Sequence, residues 1–255
     1  MNSSGKTQEY KKHHLYIVLC AFFLTNALIA EMIGTKLFSL EATLGLSPAN
    51  LTLFENFPMN FNMTAGVILW PFVFILTDIL NEYFGKEGVK KISYISAGLI
   101  AYAFLMIWIA IHLSPSEFWL NINSKDEAGN SFNVDYAYST ILGQGLNIIV
   151  GSLIAFLVGQ IFDAYIFELI KKRTGDNYLW LRSTGSTFVS QLIDSFLVLF
   201  IAFYFMPAAD KKWSLALVFS VGVINYIYKI LMATLLTPLI YVAHSVIDKY
   251  LAKND

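Results

Sequence analysis

Residues 63–113 read MTAGVILWPFVFILTDILNEYFGKEGVKKISYISAGLIAYAFLMIWIAIHL and place two long apolar runs on either side of a short basic turn. The runs cover 63–84 and 92–113, and the turn carries Lys86, Lys90 and Lys91. A helix needs about 20 apolar residues to cross the hydrocarbon core of a bilayer. The stretch therefore predicts two transmembrane helices that are joined on one side of a membrane.

The rest of the chain repeats this pattern. Four more apolar stretches are long enough to cross a bilayer, and they lie at 15–40, 138–170, 183–206 and 213–247. Only 14% of the 255 residues are charged and 56% are hydrophobic, whereas soluble proteins have about 25% charged residues. The sequence predicts an all-α integral membrane protein with six transmembrane helices, in which 15–247 forms the membrane domain and 1–14 and 248–255 are tails.

Two of these predicted spans contain features that disturb a straight helix. The 138–170 stretch is longer than a bilayer requires, so we expect it to tilt, to bend near one of its glycines, or to project into water. Pro71 is expected to kink the 63–84 span near its middle, because proline removes one helical hydrogen bond.

The basic residues predict the orientation of the chain. Twelve of the 17 Lys and Arg residues lie at the two termini or after the second and fourth predicted spans, and Lys36 and Lys229 lie within spans. The opposite side carries Lys125, Lys211 and Lys212. Because cytoplasmic loops are enriched in Lys and Arg, both termini are predicted to be cytoplasmic. The long connections on the other side, 41–62 and 114–135, are expected to be irregular or interfacial.

Several classes of function are disfavoured by composition and motifs. The net charge of −1 gives no basic surface for nucleic acid. A single cysteine, Cys20, cannot form an internal disulfide, and the four histidines do not have the spacing of metal ligands. The chain contains no GxxxxGK[ST] motif for nucleotide phosphates and no recognisable hydrolase motif. We therefore expect no enzyme activity, no cofactor, no metal and no nucleic-acid partner.

The acid predicted to lie deepest in the membrane is Asp194, near the middle of the 183–206 span. Gln191 lies one helical turn away on the same face. An ionisable side chain at this depth is costly unless it has a partner or a cavity. Lys229, with Asn225 one turn away, has the same requirement, and its predicted counter-ion is either Asp194 or Asp163.

Other charged residues within the predicted spans have two interpretations. Asp78 and Glu82 share a helix face at i,i+4, and Glu82 could instead pair with Lys86 at the surface. Glu31 is equally compatible with a functional role and with a structural pair. Arg182, which begins the fifth span, is predicted to pair with Asp78 or Glu82, either as an inner gate or as a simple anchor.

Glu168 is assigned a structural role, as the partner of Lys172. Within the spans, acidic residues outnumber basic ones, so some acids must be protonated or matched by a bound cation or by hydrogen-bond donors.

Amide and aromatic side chains accompany these acids. Amides can bind the edge of a heterocyclic ring, and aromatic rings can stack on its face. The amides are Gln144, Asn147, Gln160, Gln191 and Asn225, and the aromatic candidates are Trp70, Tyr94, Tyr102, Tyr165 and Tyr226. The sequence predicts a site for a flat polar ring, although each aromatic residue alone is better explained by packing.

Four ordered motifs carry a resemblance. They are DILNEYFG (78–85), SLIAFLVGQIFD (152–163), LWLRSTGSTFVSQLIDS (179–195) and YKILMATLLTPLIY (228–241). With them the chain resembles the queuosine precursor transporter family, also called the putative vitamin uptake transporter family. The resemblance implies a six-helix inner-membrane carrier that imports 7-deazaguanines, such as 7-cyano-7-deazaguanine and its aminomethyl relative, for the tRNA base queuosine. Ser183 and Asn81 depart from residues common in the family and leave the preferred precursor open.

The chemistry of a guanine edge agrees with this function. A ring N–H beside an exocyclic NH₂ offers two donors, which one carboxylate can accept together. The first predicted clamp is Asp194 with Gln191, and the second is Asp163 with Gln160.

The other predicted site residues follow from the same interpretation. Asp78, Asn225 and Lys229 complete the predicted substrate site, and Arg182 and Glu82 form the gate or anchor.

Two modes of transport remain open. A secondary carrier for a small deazapurine is favoured. The alternative is a substrate-binding membrane subunit that works with an ATPase partner, as in energy-coupling-factor importers. The lipid bilayer is the other expected partner. The oligomeric state is left open, with a homodimer among the options.

Overall fold

The computed structural model describes residues 3–52, 58–143, 146, 148–175, 177–206 and 212–252. The eight α-helices in these residues are α1 (Ser3–Ile33), α2 (Leu40–Thr43), α3 (Trp70–Ile111), α4 (Glu117–Ile122), α5 (Val134–Gly143), α6 (Ile149–Thr174), α7 (Leu179–Leu199) and α8 (Leu215–Ala252). A 3₁₀ turn (Ala65–Ile68) precedes α3, and a π-helical segment (Phe200–Phe205) extends α7. Four short strands are β1 (Leu37–Ser39), β2 (Leu51–Thr52), β3 (Pro58–Met59) and β4 (Asn62–Thr64).

Five of the described helices are long and apolar enough to cross a membrane. They are Gln8–Ile33 of α1, then α3, α6, α7 with its π-helical extension, and α8. Their outer faces carry many large apolar side chains that are exposed to the surroundings, including Phe22, Leu105 and Val246. Faces of this kind are expected where the solvent is lipid. The all-α membrane class predicted from the sequence is thereby supported.

The first helix is shorter than predicted. The 15–40 span was expected to include Lys36, but α1 ends at Ile33 and Lys36 is exposed beyond it. The chain leaves the helix because β1 hydrogen-bonds with β4 in an antiparallel pair. A second antiparallel pair joins β2 to β3. Within 41–62, which is predicted to be irregular or interfacial, the strand residues are regular, because paired strands satisfy their backbone polar groups.

Pro71 does not kink the second predicted span. It lies in the first turn of α3, where proline is well tolerated because the missing N–H would have no helical partner there. The interruption falls instead at Gly85, with φ of 68° and ψ of 177°. Only glycine adopts this conformation readily. Gly85 therefore divides α3 into 70–84 and 86–111, close to the boundary between the second and third predicted spans.

The 138–170 stretch is not one helix. α5 ends at Gly143 and α6 begins at Ile149, which places a break near one of the glycines where a bend was predicted. Gln144 and Asn147, two of the predicted amide donors, lie outside the described residues.

α6 lies at the centre of the bundle, with its main packing partners α7 and α3. α1 packs mainly on α3, and α8 packs on α7 and α3. The hydrophobic core includes Phe23 of α1, Val73 and Ile100 on the two parts of α3, and Phe156 of α6. Because α6 packs between α3 and α7, polar residues on these three helices meet inside the bundle.

A buried carboxylate organises the segment between α1 and α3. Glu41 is buried, its Oε1 accepts the backbone N–H of Phe61 at 2.7 Å, and its Oε2 accepts the hydroxyl of Ser39 at 3.0 Å. The Phe61 bond is the main cause that holds the pKa of Glu41 below its usual value. The stabilisation is therefore present above the pKa of the unfolded chain, about 4.3, and is lost as pH falls through the folded pKa.

Gly66 is expected to be intolerant of a side chain. A Cβ added there would lie 2.6 Å from the carbonyl oxygen of Ala30, where α1 contacts the 3₁₀ turn. Moving the backbone to relieve this clash costs free energy, so Gly66→Ala should destabilise the protein by roughly 1–3 kcal/mol. Gly98→Ala is the matched control, because a Cβ at Gly98 meets nothing within 4 Å. The melting temperature of the detergent-purified protein should fall for Gly66→Ala alone, and equal melting temperatures would contradict the prediction.

Candidate functional site

A cavity of about 170 Å³ lies inside the bundle, where α1 and α7 end and α3 and α6 begin. Its walls come from α1, the segment before α3, α6, α7 with its extension, and α8. Trp70, Phe156 and Phe203 supply aromatic surface. The charged and polar side chains of its wall are Glu31, Thr64, Ser152, Asp194, Asn225 and Lys229. An apolar cavity with a few convergent polar groups is the usual form of a small-molecule site.

Asp194 and Lys229 form an ion pair in the wall of this cavity. The Lys229 ammonium donates to Oδ2 of Asp194, and the side chains of Lys229 and Asp194 are 14% and 20% exposed. Of the two predicted counter-ions for Lys229, the structure thus shows Asp194. Gly159 of α6 faces the acid, since a Cβ at Gly159 would lie 3.4 Å from Cβ of Asp194.

Glu31 is the second carboxylate in the cavity wall. Its Oε1 accepts the hydroxyl of Ser152, the first residue of the SLIAFLVGQIFD motif. Two acids and one ammonium therefore meet in this wall, together with the amide of Asn225 one turn from Lys229. The carboxyl and amide oxygens of this wall favour ligands that donate hydrogen bonds.

The remaining predicted substrate residues do not line this cavity. They form a second polar layer between the first part of α3, α6 and α7. Thr77 donates to Oε1 of Gln160 at 2.7 Å, Ser190 donates to Oδ1 of Asp163 at 2.9 Å, and Ser183 donates to Oδ2 of Asp78. Gln191, expected beside Asp194, is buried away from the cavity wall. Three residues separate it from Asp194 by about 60° around the helix, which is enough to bury it against other helices.

Arg182 lies in a third layer, at the opposite end of the bundle from the cavity. It is 2% exposed, and its Nη2 donates to Oε1 of Glu82 at 2.8 Å. Its Nη1 donates to the carbonyl oxygens of Gly175 and Asn177 at 3.0 and 3.2 Å. Lys171 also pairs with Glu82, at 3.0 Å. The predicted pairing of Arg182 is thus seen with Glu82, while Asp78 bonds to Ser183 instead.

The surface pair between Glu82 and Lys86 is not formed. Lys86 pairs with Glu168 at 3.1 Å, and Glu168 also pairs with Lys172 at 3.2 Å, as predicted. Gly85 explains the difference, since it breaks the helical i,i+4 geometry between Glu82 and Lys86.

Sequence reasoning missed two groups of residues. The hydroxyls of α7 that face the buried acids, Ser183 and Ser190, are spaced by seven residues, a helical repeat that could have been noticed. The second group joins the first part of α3 to the end of α8. Tyr83 donates to Asp248 at 2.6 Å and lies 3.1 Å from Nδ1 of His244, and no sequence signal connects residues 161 positions apart.

Most of the predicted aromatic stackers lie elsewhere. Trp70 is in the cavity wall, but Tyr94, Tyr102 and Tyr165 are exposed on the outer faces of their helices. Tyr226 donates to the carbonyl of Phe188 on α7. Within the described ranges, no group of three or more His, Cys, Asp or Glu side chains is arranged to hold a metal ion.

The apolar outer faces of the long helices define a multi-pass membrane protein, and a mostly apolar cavity with a few polar groups lies between these helices. The family model described as "Putative vitamin uptake transporter" matches residues 64–243. The chain belongs to this family, and it is a transporter, not an enzyme.

Three curated relatives share much of the chain. The "Probable queuosine precursor transporter" of Bacillus subtilis (strain 168) is 29% identical over 203 residues, which are 78% of this chain and 80% of the relative. The "Queuosine precursor transporter" of Escherichia coli (strain K12) is 26% identical over 177 residues, 69% of each chain. The "Probable queuosine precursor transporter" of Haemophilus influenzae (strain ATCC 51907 / DSM 11121 / KW20 / Rd) is 24% identical over 182 residues, 69% of this chain and 66% of the relative. No solved structure is significantly similar.

Proposed function

We propose that this protein is an inner-membrane secondary carrier that imports 7-deazaguanine precursors of queuosine, namely 7-cyano-7-deazaguanine, 7-aminomethyl-7-deazaguanine or both. The observation that carries the proposal is the cavity, in which two carboxylates, an ammonium and an amide face aromatic side chains. The printed names of the three relatives support the substrate class.

Asp194 is proposed as the carboxylate that binds the guanine edge. The ring N–H and the exocyclic NH₂ of the base are donors, and Asp194 presents a carboxylate held in place by Lys229. Glu31 is positioned across the same cavity for other donors of the base. Asn225 can bind the carbonyl of the ring, and Trp70 or Phe156 can cover its face. Hydrogen bonds to charged groups are the stronger ones, so Asp194 should dominate affinity.

The second polar layer is proposed to lie on the route that the base follows after leaving the cavity. Gln160, Asp163, Asp78 and Gln191 are buried there without lining the cavity. Arg182 and Glu82 close the far end of this route as an inner gate. Release of the base on that side would require the Arg182 to Glu82 pair to separate.

We infer six crossings with both termini in the cytoplasm. α3 has 42 residues, which at about 1.5 Å each would span roughly 63 Å as a straight helix, twice the hydrocarbon thickness. A reversal at Gly85 would give two crossings, 70–84 and 86–111. With α1, α6, α7 and α8 this makes an even number, and the basic residues after Gly85 and after α6 then face the same side as the termini.

Cysteine labelling tests this topology. In a variant whose natural Cys20 is replaced by Ala, Lys125→Cys should react with a membrane-impermeant maleimide added to intact spheroplasts. Lys172→Cys should react only after the membrane is opened. The two positions lie in segments assigned to opposite faces, so labelling of both from one side would refute the proposed topology.

Transport by the purified chain tests the function. Proteoliposomes containing this chain alone should accumulate a radiolabelled deazaguanine and should not accumulate adenine, whose edge lacks the paired N–H donors. Empty liposomes serve as the control. Uptake that requires an added ATPase partner would favour a substrate-binding subunit of an energy-coupling-factor importer, and no binding of either precursor would reject the substrate class.

A further inference from the structure

The carboxylates of Asp78 and Asp163 are buried in the middle of the bundle without a cationic partner among the described residues. Their side chains belong to residues that are 3% and 5% exposed. Asp78 accepts a hydrogen bond from Ser183, and Asp163 accepts one from Ser190. Both partners are neutral hydroxyls, which leave the charge of the acids uncompensated. The two acids are close enough for the charge of Asp163 to act on Asp78. Burial of an unpaired charge is costly, so two such charges are not retained together.

We propose that Asp78 and Asp163 form a proton-binding site, in which the pair holds one proton between its two carboxyl groups. This site is separate from the cavity that contains Asp194. In a transporter of the proposed function, it would couple proton entry to import of the base, and this second part of the inference rests on the proposed function.

The charged groups around the pair do not neutralise it. On α3, Glu82 lies one turn from Asp78 and adds negative charge near it. Arg182 and Lys171, the cations of α7 and α6 nearest to this layer, are engaged by Glu82. On α8, Lys229 is paired with Asp194, and His244 lies beside Tyr83. On α1, Glu31 faces the cavity. A proton is the remaining way to lower the charge of the pair.

A second observation points to where the proton resides. Oδ1 of Asp78 is buried and accepts no hydrogen bond from the described part of the chain. A bare carboxylate oxygen without a donor is costly in a low dielectric, whereas a protonated oxygen is neutral. A metal cation would need several oxygens converging on it, but the hydroxyls of Ser183 and Ser190 already direct their protons at the acids.

The backbone of α6 connects this site to the cavity. Gly159 faces Asp194, since a Cβ added at Gly159 would lie 3.4 Å from Cβ of Asp194. The next residue, Gln160, accepts the hydroxyl of Thr77, the neighbour of Asp78. A movement of Asp194 when a base binds would therefore displace α6 near Gln160, which bonds to Thr77 beside Asp78. In the coupling step, an O–H bond forms on the pair with a proton from outside, and the same bond breaks when that proton leaves to the cytoplasm.

Infrared spectroscopy tests the proton site without any substrate. The purified parent at neutral pH should show the C=O stretch of a buried protonated carboxylic acid, with its frequency lowered in D₂O. Both Asp78→Asn and Asp163→Asn should lose this band, because each variant removes one member of the pair. Glu31→Gln and Asp194→Asn are controls for the two cavity acids and should keep it. A band that survives in both pair variants, or that disappears in Glu31→Gln, would overturn the assignment.

Two further measurements separate the parts of the inference. The band should be the same in sodium chloride as in choline chloride at constant pH. Loss of the band in sodium chloride would show that a metal cation occupies the site instead of a proton. An inside-alkaline pH gradient should drive accumulation of the base by parent proteoliposomes. Equal uptake with and without the gradient would refute coupling. Absence of any base binding would reject the proposed function, yet would leave the infrared result standing.

Discussion

Asp194→Asn is expected to fold and insert like the parent and to lose most of its affinity for a deazaguanine. The substitution keeps the shape of the side chain but replaces one acceptor oxygen with a donor NH₂, which opposes one of the two N–H groups of the base. Loss of a charged hydrogen-bond partner costs about 1.5–3 kcal/mol, or roughly 10- to 150-fold in affinity. The structure gives a second reason for lower affinity, because in this variant Lys229 no longer has its charged partner in the cavity wall.

The measurement is the dissociation constant of the purified variant for each precursor, taken together with its melting temperature. Lys229→Met should be impaired as well, since Asp194 would lose the ammonium that orients it. Glu168→Gln is the matched control, because Glu168 pairs with Lys86 and Lys172 outside the cavity. Should Asp194→Asn bind as tightly as the parent, the clamp is wrong and Asp163 becomes the next acid to test.

Arg182→Lys is expected to reduce transport at least about tenfold and to lower the melting temperature. The guanidinium donates to Glu82 and to two backbone carbonyls at once. A lysine ammonium cannot reproduce this forked geometry, and each lost hydrogen bond to a charged group is worth about 1.5–3 kcal/mol. Arg173→Lys is the matched control, because Arg173 is exposed near the end of α6.

Initial uptake rates in proteoliposomes and melting curves in detergent give the two readouts for Arg182. A slower rate with a lower melting temperature supports a closing function for the Arg182 to Glu82 pair. Full transport by Arg182→Lys would show that the residue is only a positively charged anchor. Equal losses in Arg173→Lys would indicate a general effect of basic residues at this membrane face.

The sequence by itself determined the class of protein and much of its charge pairing. Transmembrane helices can be predicted from hydropathy without knowledge of the tertiary structure. Each helix that crosses lipid must satisfy its own backbone hydrogen bonds and present apolar side chains. The cost of an unpaired charge in this solvent also restricts the partners, so Lys229 had two predicted counter-ions and Arg182 had two predicted acids. In each case the structure shows one of the two predicted partners, Asp194 for Lys229 and Glu82 for Arg182.

Tertiary structure decided where these residues act. The cavity forms at the ends of helices that are far apart in sequence, so the contact between Glu31 and Ser152 across 121 positions has no local signal. The interruption at Gly85 and the placement of Pro71 in a first turn are seen only in the structure. Sequence periodicity places Gln191 and Asp194 on one face. Only the packing of α6 and α8 against α7 separates a cavity residue from a buried one, because it determines which part of that face is left open.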